Sequence, residues 1–384
     1  MENQMLVLIL VSLGAFLVPF AVPFFKLPVA VGELLYGVFL AYLFARLGVG
    51  GEALLPLEVL AFLGFSLLMF LAGLEIDWNK LETLNRREKL VILAVVATDF
   101  LLAALWVKLL NLSGEWILIL GALGIGLMLS VVKELELPER FTQAVLITGS
   151  LGEVATLLGL TGYDLYLAFG LSKEFVFHTL LVGLFGLFFL LLLKLIKLLI
   201  WYFPDKFAAL VVEENKAAVD VRASFALMLT FMAFAYLVHV EPILGAFIAG
   251  TLFGFIFREK ESIEHKLSAL GYGFLIPFFF IQVGLSFDPR YLLSEEPLKL
   301  ALLLWGLLFS VKLLSSLWFF LLGFKPREVL LASFLFSFPF TVLIAVGKIL
   351  YEKGVWGSGE LVSVILLTVL TSVAFPFLAK TFRG

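Results

Sequence analysis

Long apolar stretches alternate with short polar turns from one end of this chain to the other. Each stretch approaches the about 20 apolar residues that an α-helix needs to cross a bilayer. The pattern predicts thirteen membrane helices, over residues 5–25, 29–47, 56–76, 88–111, 114–133, 139–159, 173–203, 219–239, 242–258, 267–287, 297–323, 327–350 and 358–381. Pro28, Pro242, Pro297 and Pro326 stand near predicted starts, where a missing N–H costs least. The longest polar stretch, residues 204–222, reads as a cytoplasmic linker lying at the membrane surface.

Two parts of this pattern repeat. Pro28-Val-Ala-Val-Gly32-Glu-Leu-Leu-Tyr-Gly37 leads to Gly73-Leu-Glu-Ile-Asp77, and Pro242-Ile-Leu-Gly245-Ala-Phe-Ile-Ala-Gly250 leads to Gly284-Leu-Ser-Phe-Asp288. The fold expectation is one all-α integral membrane transporter unit over 1–384, with five-helix repeats at 29–159 and 242–381 joined by connecting helices and the linker at 160–241. The repeats are offset by seven helices, an odd number, so they enter the membrane in opposite directions. An inverted repeat of this kind marks secondary transporters and points to a substrate site between the halves, near the bilayer midplane.

Composition removes most other classes. Of 384 residues, 62% are hydrophobic and 15% charged, and mean hydropathy is +1.11. A soluble domain carries roughly 25% charged residues, so most of this surface is solvated by membrane lipid. There is no cysteine, and the three histidines show no ligand spacing. No cofactor is expected, the net charge of −3 gives no reason to expect nucleic acid as a partner, and no nucleophile has a plausible buried base, so the chain is not read as an enzyme. Gly271-Tyr-Gly273 is a weak match to a potassium filter, without the flanking pore helices that a channel needs.

Cations fix the orientation. Of 27 Lys and Arg, 19 fall on one side of the thirteen helices, seven on the other and one, Lys312, inside a helix. The positive-inside rule then places the N-terminus outside and the C-terminus in the cytoplasm of an inner (plasma) membrane.

Ionisable residues deep in a span are expensive and mark function by default. Asp99, Glu153 and Lys312 qualify. Glu153 sits among Gly149, Ser150 and Gly152, which leave room beside the backbone. Low dielectric penalises the charged form of a carboxyl, so such a group can hold a proton and exchange it for a cation. A repeat offset of 211 carries Lys312 to within two residues of Asp99, so the two charges could pair across the pseudo-twofold axis. Structural pairing and direct proton carriage are both open for Lys312. The same offset carries Glu153 to Val364, so the carboxyl belongs to one copy only.

Interrupted helices are the other component of such sites. The fifth stretch carries Gly121, Gly124 and Gly126, then Ser130; the twelfth carries Ser333, Ser337, Pro339 and Thr341. The offset maps Ser130 onto Thr341, so the polar breaks correspond. Pro339 removes one backbone hydrogen bond and frees a carbonyl as a cation ligand.

Leu27-Pro-Val-Ala-Val-Gly-Glu-Leu-Leu-Tyr-Gly37, Phe70-Leu-Ala-Gly-Leu-Glu-Ile-Asp77, Leu244-Gly-Ala-Phe-Ile-Ala-Gly250 and Ile276-Pro-Phe-Phe-Phe-Ile-Gln-Val-Gly-Leu-Ser-Phe-Asp288 resemble the cation:proton antiporter superfamily. The likeness is to its second branch, the bacterial sodium/proton exchangers and potassium efflux antiporters. The resemblance implies a homodimer, an elevator-like cycle serving pH homeostasis, and two discontinuous helices crossing in a core domain. It puts the ion-binding acid at Glu153, holding Na⁺ or K⁺ in turn with a proton, and the core lysine at Lys312. Ser130 and Thr341 are candidate ligands, Asp99 and Lys312 compensate charge, and Gly126, Ser337 and Pro339 form the helix breaks. The chain departs from the resemblance at Gly152-Glu153, where members carry Asp-Asp, Asn-Asp or Gln-Asp. A non-transporting sensor or scaffold on the same fold, and a cation channel, are the competing expectations.

Overall fold

The computed structural model describes residues 2–25, 27–47, 51–75, 84–135, 137–202, 219–256, 260–286, 291 and 294–383. Its regular elements are helices: α1 (Glu2–Phe25), α2 (Val29–Leu47), α3 (Leu55–Leu74), α4 (Arg86–Leu109), α5 (Trp116–Leu120), α6 (Gly126–Leu135), α7 (Glu139–Phe169) and α8 (Lys173–Tyr202). There follow α9 (Val219–Leu237), α10 (Pro242–Ile256), α11 (Lys260–Leu270), α12 (Ile276–Leu285), α13 (Glu295–Ser316), α14 (Pro326–Phe336), α15 (Phe340–Glu352) and α16 (Ser358–Arg383).

Among the described residues, eleven helical segments are long and apolar enough to cross a membrane. Two further stretches of the sequence pattern fall short for separate reasons. Pro242–Phe255 is apolar but brief, and the stretch from α5 to α6 is interrupted. This is an all-α membrane protein.

Local chemistry fixes several ends. Asn85 caps α4: its Oδ1 accepts the Glu88 N–H at 2.9 Å while Glu88 Oε2 accepts the Asn85 N–H at 3.1 Å. This reciprocal box satisfies two of the helix's four orphan donors. Pro326 opens α14, and Gly323, at φ 82°, makes the left-handed turn before it. Two helices outrun their hydropathy. α7 continues ten residues past the predicted end at 159, through Thr161–Asp164. The tenth predicted stretch starts at 260, with polar α11 passing through a π-helical turn, Gly271–Leu275, straight into α12. That turn contains the Gly-Tyr-Gly of the filter-like motif.

The chain forms two compact units: residues 1–58, 80–156 and 280–384, and residues 59–79 and 157–279. The first has an aromatic-rich core that includes Leu123, Ile125, Met128, Phe319, Phe336 and Phe338. Its segment α14–α15 is 94% buried, so the interruption inside it is wrapped by protein. In the second, Phe65 stacks on Phe279 at 4.5 Å, and Phe70 lies 5.8 Å from Phe253. The Lys173–Leu192 span of α8 in that unit is only 11% buried and exposes its apolar surface.

The repeated glycines make matching contacts. A methyl on Gly37 would strike the Ile281 carbonyl and stand 2.9 Å from Gly284 Cα. In the second unit, a methyl on Gly250 would strike the Phe70 carbonyl, and one on Gly73 the Phe247 carbonyl. Phe70 and Ile281 are related by the offset of 211, so the two copies use equivalent backbone-to-backbone contacts. The motif ends Ile76-Asp77 and Phe287-Asp288 lie outside the described residues.

Candidate functional site

Residues 121–125 carry no helix. Gly121 and Gly124 interrupt the side-chain packing that would otherwise carry α5 into α6, and the backbone between them is left to find other partners. One partner is Glu153. Its Oε2 accepts the Ile125 N–H at 3.1 Å. The Glu153 side chain is wholly buried, and its Oε1 has no hydrogen-bond partner among the described residues. A fully buried carboxyl with one oxygen held and the other open is an arrangement ready for a proton or a cation.

Small residues bring α7 this close. A methyl on Gly149 would meet Met128 Cε, and one on Gly152 would run into the Leu123 side chain. Leu123 fills the space beside Gly152. The position where related sequences are expected to carry a second polar residue is therefore taken by a hydrocarbon side chain from the break itself.

The second break lies at Ser337–Pro339. Pro339 has no N–H to give the Leu335 carbonyl. The Phe340 N–H turns to Phe338 O at 2.7 Å, leaving the Phe336 carbonyl without its usual i+4 donor. The Ser337 hydroxyl bonds the Ser333 carbonyl at 2.6 Å, and the Leu343 N–H restarts the helix on Pro339 O at 2.9 Å.

The two breaks meet. A methyl on Gly124 would stand 3.0 Å from Val342 Cγ2 and 3.4 Å from Pro339 Cβ; one on Gly126 would stand 3.4 Å from Thr341 Cγ2 and 3.6 Å from its Oγ1. Thr341 thus faces the first residue of α6 and is buried. Ser130 lies in α6, and its side chain is outside the described residues. Among the described residues no three acidic or histidine side chains converge. A cation beside Glu153 would take its remaining ligands from hydroxyl and carbonyl oxygens, which suits a hard monovalent ion.

Lys312 of α13 reaches Asp99 of α4, Nζ to Oδ2 at 3.2 Å, with neither side chain exposed to solvent. Asp99 Oδ1 has no hydrogen-bond partner among the described residues. Next to Asp99, Thr98 accepts the Trp318 indole N–H at 2.8 Å, and Phe100 packs on Gly121 at the start of the first break. The pair is therefore built into the walls of the same unit.

Three features carried no signal in the residue pattern. The Ile125 amide belongs to the backbone. Glu33 is 3% exposed although it stands only four residues into α2, where a charge reads as lying at a span end. Glu115, just before α5, accepts the indole N–H of Trp356, just after α15, at 3.2 Å, and Trp116 stacks on Trp356 at 4.5 Å. That clasp fastens the outer ends of both interrupted helices.

Residues 10–381 match the family model described as sodium/hydrogen exchanger, transmembrane. The chain is 26% identical over 398 residues to YjbQ of Bacillus subtilis, which bears the name of an Na(+)/H(+) antiporter; the match covers 97% of this chain and 62% of that longer protein. It is 26% identical over 268 residues to the Na(+)/H(+) antiporter of Enterococcus hirae, covering 69% of this chain and 68% of the relative. Among solved structures, the sodium proton antiporter MjNhaP1 of Methanocaldococcus jannaschii superposes with a TM-score of 0.66 over all of both chains at 15% identity, a likeness of fold.

Proposed function

Because this chain belongs to the sodium/hydrogen exchanger family, we propose that it exchanges sodium for protons across a membrane, with Glu153 holding each in turn. The observation that carries the reading is the carboxyl itself. It is wholly buried, anchored by one oxygen to the Ile125 amide of an unwound segment and open at the other. A proton on Glu153 removes its charge; a monovalent cation balances it. Either form crosses low dielectric at tolerable cost, whereas the bare carboxylate does not. That difference couples the two ions.

The second charged element sharpens the stoichiometry. Lys312 is already matched by Asp99 at 3.2 Å. With that pair internally neutral, Glu153 is the uncompensated carboxyl at the helix breaks, and it takes one proton or one cation. One-for-one, electroneutral exchange follows. Thr341 and the freed carbonyls near Pro339 supply oxygen ligands, with Ser130 as a further candidate.

Glu153, both helix breaks and the Asp99–Lys312 pair all belong to one compact unit. This supports an elevator-like cycle in which that unit carries the site intact. The charge bias supports an N-terminus outside and a C-terminus in the cytoplasm, and the family resemblance supports a homodimer.

The test is exchange in proteoliposomes with Na⁺, K⁺ and Li⁺, with and without a clamped membrane potential. Glu153→Gln abolishes cation-driven proton movement, and wild-type rates do not respond to the potential. Unchanged exchange in the variant would end the assignment of Glu153. No exchange by the wild-type protein with any cation across a wide pH range favours a sensor on the same fold, and currents far above exchanger turnover favour a channel. Potassium replaces sodium in the proposal if K⁺ alone drives proton movement.

A further inference from the structure

On the face of the first unit where α4 and α7 begin, a polar pocket of about 280 Å³ is lined by Asn85, Arg87, Glu88, Arg140 and residues 320–323. Three membrane spans end at it: Arg86–Leu109 and Glu139–Phe169 with their first turns, and Glu295–Leu322 with its last. It therefore lies where helices leave the hydrocarbon. We propose that this pocket binds the headgroup of an anionic phospholipid.

The charges favour an anion. Two arginines, Arg87 and Arg140, line the pocket against one acid, Glu88. Glu88 is already engaged: Oε2 accepts the Asn85 N–H at 3.1 Å and Oε1 accepts Arg140 Nη2 at 3.4 Å. Arg87 is exposed and makes no ion pair among the described residues. Arg140 is held in place by Glu88 and by the Phe324 ring, 5.6 Å from its guanidinium carbon. Its side chain is still 63% exposed, so most of its five-donor fork is free for a phosphodiester.

A lipid is favoured over a soluble anion by the wall. Phe320 and Leu321 are 44% and 46% exposed and line the pocket at the end of a membrane span. Along the same short 3₁₀ turn, Leu317 and Trp318 are also exposed. Acyl chains laid over these residues cover apolar surface while the phosphate meets the arginines, a division of labour that no free phosphate can use.

The probe is phosphatidylglycerol. The protein is placed in nanodiscs of equal phosphatidylglycerol and phosphatidylcholine, released, and its retained lipids are counted by native mass spectrometry. Wild-type protein retains phosphatidylglycerol preferentially. Each of Arg87→Gln and Arg140→Gln lowers that retention roughly five-fold, the factor that corresponds to about 1 kcal/mol per basic residue near a membrane surface. Arg87→Gln removes only an exposed side chain, so it tests the pocket even if the Arg140 change disturbs folding; equal melting temperatures in pure phosphatidylcholine check this. Equal retention by wild type and Arg87→Gln overturns the proposal. Millimolar inorganic phosphate that stabilises lipid-free protein, with the same dependence on Arg87, overturns it in favour of a soluble anion. Because the readout is bound lipid, it stands or falls independently of ion exchange.

Discussion

Removing Asp99 leaves Lys312 as a buried, unmatched cation. The two groups stand 3.2 Å apart with no exposure at either side chain. At an effective dielectric of about 20, their attraction is about 5 kcal/mol. Breaking a buried pair by deleting one partner costs about 3–5 kcal/mol, while replacing both with matched apolar groups can be nearly neutral. We expect Asp99→Asn and Lys312→Met each to lose about that much stability and the double variant to recover most of it. The interaction energy in the double-mutant cycle is then about 3 kcal/mol or more, far above the about 0.5 kcal/mol of an exposed pair. Reversible unfolding in mixed micelles, followed by tryptophan fluorescence, measures it. Trp318, bonded to Thr98 beside the pair, is a local reporter. A coupling below about 1 kcal/mol would refute the reasoning, because the pair would then be exposed or apart in the protein in solution.

Further outcomes follow from the glycines and the clasp. Gly37→Ala drives a methyl into the Ile281 carbonyl, so it is expected to cost about 1–3 kcal/mol and lower the folded yield, whereas Gly162→Ala, with open space around it, is neutral or slightly stabilising; melting temperatures in detergent compare them. Gly152→Asp collides with Leu123 and is expected to abolish exchange, and adding Leu123→Ala restores folded protein; a double variant no better folded than the single one refutes Leu123 as the obstacle. Trp356→Phe keeps the stack on Trp116 but loses the hydrogen bond to Glu115, for an expected loss of about 1–3 kcal/mol in the same unfolding assay.

The spans were legible because lipid demands long apolar runs, and the breaks because Gly121, Gly124 and Pro339 punctuate such runs with residues that helices avoid. Asp99 was within reach for the same reason: a charge deep in a span needs a partner, and the repeat offset carried Lys312 close to it. What stayed hidden depends on packing between helices. Glu153's partner is the Ile125 backbone amide, which every residue type but proline can offer. Nothing in Gly152 names Leu123 as the side chain that fills its place. Glu33 looked like a span-end charge because distance along a helix does not report what packs around it. The ends of α7 and α11 were misjudged because hydropathy marks where lipid stops, whereas helical hydrogen bonding continues through Thr161–Asp164 and begins at Lys260.

The glycine contacts have a consequence for how such a chain can exist at all. Gly37 of the first copy seats on the helix ending in Gly284 of the second, and Gly73 of the first seats on the helix carrying Gly250 of the second. Neither copy completes these surfaces by itself; each is closed by the other, through backbone that cannot step aside. We expect the two halves to be obligate partners rather than neighbouring modules. Half-length chains made apart should remain unassembled, and those made together should find each other.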